Sequence, residues 1–173
     1  AFETISYPAI NDNGLIAFRS TFIGFDDNDN IVPINAGIFT IVDEPTTFKQ
    51  VFSSGGTLRS VGGTVPDEVS AFSAPAINAA GDVAFTVRAD DTTQGDLNDT
   101  QLLKHPAGEA PGTVDVIATE SAPTPDGDCR FGDLGPPAII ESGAAVFEAG
   151  LRDSADDPAG TGIYLGDGFD TLD

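Results

Sequence analysis

Residues 8–18 read PAINDNGLIAF, and this string decides the fold because it occurs twice more. Residues 75–85 read PAINAAGDVAF, and residues 137–147 read PAIIESGAAVF. The Pro, the Ile, the Gly and the Phe keep their relative positions in all three copies. The copies begin 67 residues apart (75 minus 8) and then 62 residues apart (137 minus 75). Repetition at such a spacing is typical of architectures built from similar structural units.

Each copy carries the signals of two strands joined by a tight turn. Pro-Ala-Ile opens the first strand, where the missing N–H of proline is tolerated. In Asn-x-x-Gly, the Asn side chain can cap the turn and the Gly supplies a positive φ. Residues 15–18 and 82–87 follow with the apolar, β-branched and aromatic composition of strands. In the third copy Ile140 replaces the Asn, so we expect that turn to lack its side-chain cap.

An acid-rich loop and further strand signals follow each copy. The loops lie at residues 25–30, 90–99 and 152–157. A third strand is predicted at residues 37–42, 101–104 and 162–165, and a fourth at 48–52 and 114–118. The chain ends at about the point where the third copy would begin its fourth strand. No segment has a helical apolar period, so the sequence predicts an all-β fold.

Four short antiparallel strands in roughly 60 residues correspond to one blade of a β-propeller. We therefore predict one repeat domain over residues 1–173, made of three propeller-like blades with the last incomplete. The repeats are placed at about residues 1–68, 69–130 and 131–173. Because propellers have ~4 to 8 blades, the ring would need blades from further sequence or from a second chain. The alternative folds with threefold repetition are the β-prism and the β-trefoil.

The repeated apolar positions are predicted to pack between neighbouring units. They are the isoleucines Ile10, Ile77 and Ile139 and the phenylalanines Phe18, Phe85 and Phe147. Tyr7 and Tyr164 are the only tyrosines of the chain, too few to suggest an aromatic sugar-binding surface. The recurring string is therefore assigned a structural role.

Residues 11–18 and 78–85 both fit the pattern NxxGxxAF, and the chain resembles the bacterial tandem-repeat proteins known by that pattern. The order of strand, glycine turn, Ala-Phe, loop and Gly-Ile-Phe also resembles the blades of TolB-type propellers. The third copy departs from the pattern at Ile140 and Val146. The resemblance implies an exported cell-surface protein, often with a C-terminal sorting anchor, and it brings no catalytic motif. Since the sequence shows no anchor and no Met, we expect a segment or a released mature form.

The charge balance restricts the partners. Seven basic and 28 acidic residues give a net charge of −21, which disfavours nucleic acid and anionic membranes and favours cations or basic partners. No run of about 18 apolar residues exists, so we predict no membrane insertion. The single cysteine, Cys129, excludes an intramolecular disulfide. It is either an intermolecular bridge or an inert buried thiol.

The acid-rich loops are the predicted metal sites, with Ca²⁺ as the candidate ion. Calcium takes about six to eight oxygen ligands, which closely spaced carboxylates and amides can supply. The pattern is not an EF-hand, because the twelfth residue counted from Asp27 is Ile38 instead of Glu. The competing interpretation is a set of solvated loops that keep the protein soluble. The candidate ligands are Asp26, Asp27, Asn28, Asp29, Asn30, Asp90, Asp91, Asp96, Asp153, Asp156 and Asp157.

The sequence contains none of the common catalytic motifs. It has no G-x-S-x-G elbow, no glycine-rich phosphate loop and one histidine. That histidine, His105, precedes Pro106 and is predicted to lie on the surface. We therefore predict a non-enzymatic extracellular module of a bacterial cell surface or fibre that associates with itself and is stabilised by calcium. The alternative is a lectin-like propeller that binds polysaccharide, and an enzyme acting on glycans comes third.

Overall fold

The computed structural model describes residues 2–25, 31–41, 48–53, 57–58, 69–90 and 98–167. These residues form three sheets, in which all strand pairs but one are antiparallel. The predicted all-β fold is confirmed. In this part of the chain we find no helix with the length and apolar composition needed to cross a membrane.

The first sheet is a meander in which each strand pairs with the next one along the chain. Its strands are β1 (Phe2–Ile10), β2 (Ile16–Phe25), β3 (Ile31–Ile41) and β4 (Phe48–Ser53). The structure confirms the predicted third and fourth strands of the first copy, although β3 begins earlier than predicted. Pro8 lies inside β1 where the register with β2 shifts, a place at which the ladder tolerates its missing N–H.

The second sheet has the order β5-β10-β9-β8-β6, and β7 also pairs with β8. The short β5 follows the first sheet in sequence, yet it joins the second sheet by pairing in parallel with β10. The outer edge of the second sheet is therefore covered by a segment from the preceding part of the chain. The strands are β5 (Thr57–Leu58), β6 (Val69–Phe72), β7 (Ala76–Ile77), β8 (Val83–Asp90), β9 (Asn98–His105) and β10 (Thr113–Thr119).

The third sheet is centred on β13, which pairs with β11 and β12 on one side and with β14 on the other. The predicted start of a fourth strand, at about residue 173, lies outside the described residues. The strands are β11 (Arg130–Leu134), β12 (Ala138–Ile139), β13 (Ala145–Arg152) and β14 (Pro158–Gly166).

Two apolar clusters fill the spaces between consecutive sheets. In the first cluster Phe52 of the first sheet contacts Phe72 and Phe85 of the second, with ring centroids 6.1 and 5.5 Å apart. The second cluster brings Leu102 of the second sheet together with Phe131 of the third. Burying one such side chain contributes about 1.5 to 3 kcal/mol, so the sheets stabilise each other through these faces.

The predicted packing positions are confirmed in the second and third sheets. Phe85 and Phe147 are buried in the two clusters, and Ile77 and Ile139 are half-buried against them. In the first sheet Phe18 is buried against Phe39, with ring centroids 5.8 Å apart.

The prediction fails for Ile10, which lies 68% exposed. Burial of Ile77 and Ile139 comes from the sheet that precedes their own sheet. No described sheet precedes the first sheet, and there Ile10 is open to solvent, although Phe18 on the same side of the sheet is buried.

The prediction that His105 lies on the surface is wrong, because its side chain is buried. Strand β9 continues through His105, which pairs with Val83 of β8. The Nδ1 atom of His105 lies 2.7 Å from the Thr113 carbonyl oxygen, so Nδ1 carries the proton and donates it. The imidazole thereby ties β9 to the start of β10.

Steric crowding explains why the Gly-Ile-Phe and Gly-Ile-Tyr strands have a glycine at this position. A Cβ atom on Gly162 would lie 2.7 Å from Cε2 of Tyr164, and one on Gly37 would lie 2.9 Å from Cε2 of Phe39. The aromatic ring therefore folds back over the residue two positions earlier. In the second sheet Gln101 takes the glycine position, and the following Leu103 has no ring to accommodate.

Candidate functional site

Four tight turns share one backbone hydrogen-bond pattern, and they begin at Asn11, Asn78, Ile140 and Asp153. In each turn the first N–H donates to the fifth carbonyl, and the fourth N–H donates to the first carbonyl. The fourth residue has a positive φ of 79° at Gly14, 94° at Gly81, 85° at Gly143 and 66° at Asp156. Glycine adopts this conformation without strain, which explains its constant place in three of the turns.

The Asn side chain caps its turn, as the sequence predicts. Asn78 Oδ1 accepts the backbone N–H of Asp82 at 2.9 Å, and Asn11 Oδ1 accepts that of Leu15 at 2.9 Å. Ile140 has no side-chain acceptor, so its turn retains the backbone bonds alone. This difference agrees with the expectation for the third copy.

The same Asn side chains also join the sheets, a function that the sequence did not reveal. Asn11 Nδ2 donates to the Asn78 carbonyl at 2.8 Å, and Asn78 Nδ2 donates to the Ile140 carbonyl at 3.2 Å. Each donor therefore reaches the carbonyl of the equivalent residue in the next sheet. We call this series the asparagine ladder. It ends at Ile140, which accepts a hydrogen bond but has no side chain with which to donate one.

Lysine side chains make a second link between the sheets. Lys49 Nζ of the first sheet donates to the Glu109 carbonyl of the second at 3.4 Å. Lys104 Nζ of the second sheet donates to the Asp167 carbonyl after the third, and it lies 4.0 Å from Asp115 Oδ2. Both partners of this ion pair are buried, so removal of either one would leave an uncompensated charge.

Only one of the three acid-rich loops lies within the described part of the chain, and its carboxylates do not converge. Asp153 Oδ1 accepts the backbone N–H groups of Ala155 at 2.8 Å and Asp157 at 3.0 Å, and so caps a turn. Asp156 Oδ2 lies 3.8 Å from Arg152 Nη1. No group of three or more metal-ligating side chains occurs among the described residues.

Among the other predicted calcium ligands, only Asp90 lies in the described part of the chain. Asp90 is the last residue of β8. The remaining candidates lie outside the described residues, and these are Asp26, Asp27, Asn28, Asp29, Asn30, Asp91 and Asp96.

A cleft of about 180 Å³ lies between the first and second sheets, with Thr40, Lys49 and His105 among its lining residues. Desolvation of the buried imidazole lowers the pKa of His105 below its usual value, and the Lys49 charge acts in the same direction. His105 is therefore neutral at pH 7. With Nδ1 bonded to Thr113, its role is that of a fixed structural donor.

The loop before β11 has its own internal hydrogen bonds. The Thr124 hydroxyl donates to Asp126 Oδ1 at 2.6 Å, and this bond is the main reason why the pKa of Asp126 lies below its usual value. Cys129 is a free, half-exposed cysteine whose carbonyl accepts the Thr124 N–H at 2.9 Å. The residue is therefore neither fully buried nor bound in a disulfide within the chain.

The third sheet has one open apolar face. Strand register places Ile163 opposite Glu148 in the same way as Leu102 lies opposite Thr86 and Ile38 opposite Arg19. Ile38 and Leu102 are fully buried against the sheet that follows, whereas Ile163 is 77% exposed. Leu165 is exposed on the same side of β14. We call Ile163 and Leu165 the third-sheet face.

The first sheet has the complementary opening. Register makes Ile5 equivalent to Phe72 and Leu134, which are 4% and 7% exposed against the sheet that precedes them. Ile5 itself is 57% exposed, and Ile10 lies on the same side of the sheet. We call Ile5 and Ile10 the first-sheet face.

These two faces are the candidate functional site. The chain matches, over residues 1–173, the model of a family described as a family of unknown function (DUF7453), and it belongs to that family. No curated protein and no solved structure matches the sequence.

Proposed function

We propose that this member of the DUF7453 family is a non-enzymatic structural module that assembles with itself at a bacterial cell surface or in an extracellular fibre. The observation that supports this function is the third-sheet face. The position of Ile163 is fully buried between sheets at Ile38 and Leu102, whereas Ile163 itself is exposed, and Leu165 on the same side of its strand is exposed as well. Exposed apolar residues at interface positions mark a surface that binds another protein.

The repeated architecture supports the same proposal. Consecutive sheets join through one kind of apolar cluster and through the asparagine ladder, as successive blades of a propeller-like array would. Such an array grows by adding further equivalent units. This mode of growth supports a function in building a layer or a fibre.

Self-association is tested by sedimentation velocity on the full chain over a series of concentrations. We expect the wild-type protein to form oligomers as its concentration rises. Ile163→Glu places a charge in the centre of the third-sheet face and should keep the protein monomeric. Ser154→Glu adds the same charge at the exposed tip of the β13–β14 hairpin and serves as the control. A wild-type protein that stays monomeric at every concentration contradicts the proposal.

Calcium stabilisation is a separate part of the proposal and rests on the recurrence of the acid-rich loops in a chain of net charge −21. We expect added Ca²⁺ to raise the unfolding temperature, and excess chelator to reverse the rise. Mg²⁺ at equal ionic strength is the control for general screening. Equal effects of the two ions would remove calcium from the proposal and leave self-association intact.

A further inference from the structure

We infer that the partner is a second copy of this chain joined head to tail, with the third-sheet face of one copy against the first-sheet face of the next. This inference rests on the proposed function and specifies its geometry. It follows from the way in which the two interfaces inside the chain are built.

Both internal interfaces contain the same two positions, one from each sheet. Ile38 of the first sheet joins Phe72 of the second in one cluster, and Leu102 of the second sheet joins Leu134 of the third in the other. The next pair in this series is Ile163 with the residue equivalent to Phe72 and Leu134 in a following unit. In a second copy that residue is Ile5.

Both members of that pair are exposed, so the two open faces are the two halves of one recurring interface. Leu165 and Ile10 extend the contact on either side. The third-sheet face has the position that contacts a following sheet in the two internal interfaces. Its best partner is therefore a surface like the one that fills this place within the chain, and in a second copy that surface is the first-sheet face. Because the two faces differ, the contact is heterologous, and it grows into a ring or an open filament instead of a twofold dimer.

The asparagine ladder gives the contact a specific weakness. Within the chain each step places an Asn Nδ2 donor against the carbonyl of the next unit's equivalent residue. At the contact between copies the donor position is Ile140, so no side chain reaches the Asn11 carbonyl of the second copy. The Ile140→Asn variant should supply this missing hydrogen bond and tighten the assembly by ~5-fold, as expected for one additional hydrogen bond.

A mixing experiment tests the head-to-tail arrangement on the full chain. Ile10→Glu disables the first-sheet face and Ile163→Glu disables the third-sheet face, each at a position exposed enough for the monomer to remain folded. Each variant alone should associate at least ~10-fold more weakly than wild type. An equimolar mixture should form a 1:1 heterodimer, because one intact face remains on each variant. Circular dichroism on each variant verifies the fold.

The outcomes separate this inference from the proposed function. If Ile10→Glu associates as strongly as wild type while Ile163→Glu does not, the third-sheet faces bind each other and the head-to-tail inference is overturned. Self-association then still stands. If the wild-type protein never associates, both the function and the inference fail. A mixture that stays monomeric while wild type associates also overturns the head-to-tail contact.

Discussion

Leu102 of the second sheet and Ile163 of the third occupy the same register position on the same kind of strand, yet one is fully buried and the other is open to solvent. The difference does not come from the residue type, because both are large aliphatic side chains. It comes from the neighbour, since the third sheet covers Leu102 and no described residue covers Ile163. Equivalent positions in a repeat protein can therefore contribute different amounts to the free energy of unfolding, and each contribution depends on which interfaces are formed.

The largest expected effect comes from truncating these two residues. Leu102→Ala opens a cavity in the second cluster and should lower the free energy of unfolding by about 2 to 5 kcal/mol. Ile163→Ala removes a solvent-exposed side chain and should change it by less than about 0.5 kcal/mol in the monomer. Urea unfolding at low protein concentration measures both. Equal losses would show that the two positions are not in different environments.

The turns at Asn78 and Ile140 extend the comparison to polar groups. Asn78→Ile removes a turn cap and a bond to the third sheet, and should lower the free energy of unfolding by about 2 to 3 kcal/mol. The reverse change, Ile140→Asn, supplies a cap and should stabilise the monomer by about 0.5 to 1.5 kcal/mol. Chemical denaturation of the two variants gives the values. A stabilising Asn78→Ile would refute the dual role of the side chain.

The glycine positions differ between the same two sheets, because Gly162 lies beneath a tyrosine ring and Gln101 lies two residues before a leucine. Gly162→Ala should cost about 1 to 2 kcal/mol, since its Cβ would overlap the Tyr164 ring. In a Tyr164→Leu background the same substitution should cost less. A double-mutant cycle measures the coupling, and independent effects of the two changes would rule out the steric explanation.

The smallest expected effect is the pH dependence that His105 contributes in the second sheet. Burial lowers the pKa of His105, so the unfolded chain binds its proton at a higher pH than the native protein does. The stabilising contribution of the neutral ring is complete above the unfolded-state pKa of about 6.5 and declines as the pH falls towards the native value. His105→Asn should remove this component from the pH profile of the unfolding temperature. An unchanged acid limb would contradict the assignment.

Much of the fold was predictable because the repeated string fixes local geometry. The capped turn at Asn78, the absent cap at Ile140 and the strands around them follow from short-range chemistry that the sequence displays directly. The turn at Asp153 could also have been predicted, because Asp153 and the residues after it have the spacing of Asn-x-x-Gly, with Asp156 in the glycine position. Its acidity favoured a metal-site interpretation instead.

The remaining features depend on which sheets pack against each other in space, and the sequence alone does not show this arrangement. Ile10 was predicted to pack between units because it holds the same place in the repeated string as Ile77 and Ile139, but the first sheet lacks a described sheet in front of it. His105 precedes a proline and looked like a loop residue, although strand pairing carries it into the interior. The lysine link from Lys104 to Asp167 joins residues far apart in the chain, and no local pattern predicts it.

One measurement tests most directly whether the third-sheet face is an unfilled interface. In a Cys129→Ser background, Ile163→Cys places the only thiol of the chain at the centre of that face. We expect its rate of reaction with a thiol reagent to fall as the protein concentration rises, while Ser154→Cys in the same background reacts at a constant rate. Adding Ile10→Glu should restore fast labelling. A labelling rate at position 163 that is the same at all concentrations would contradict the account.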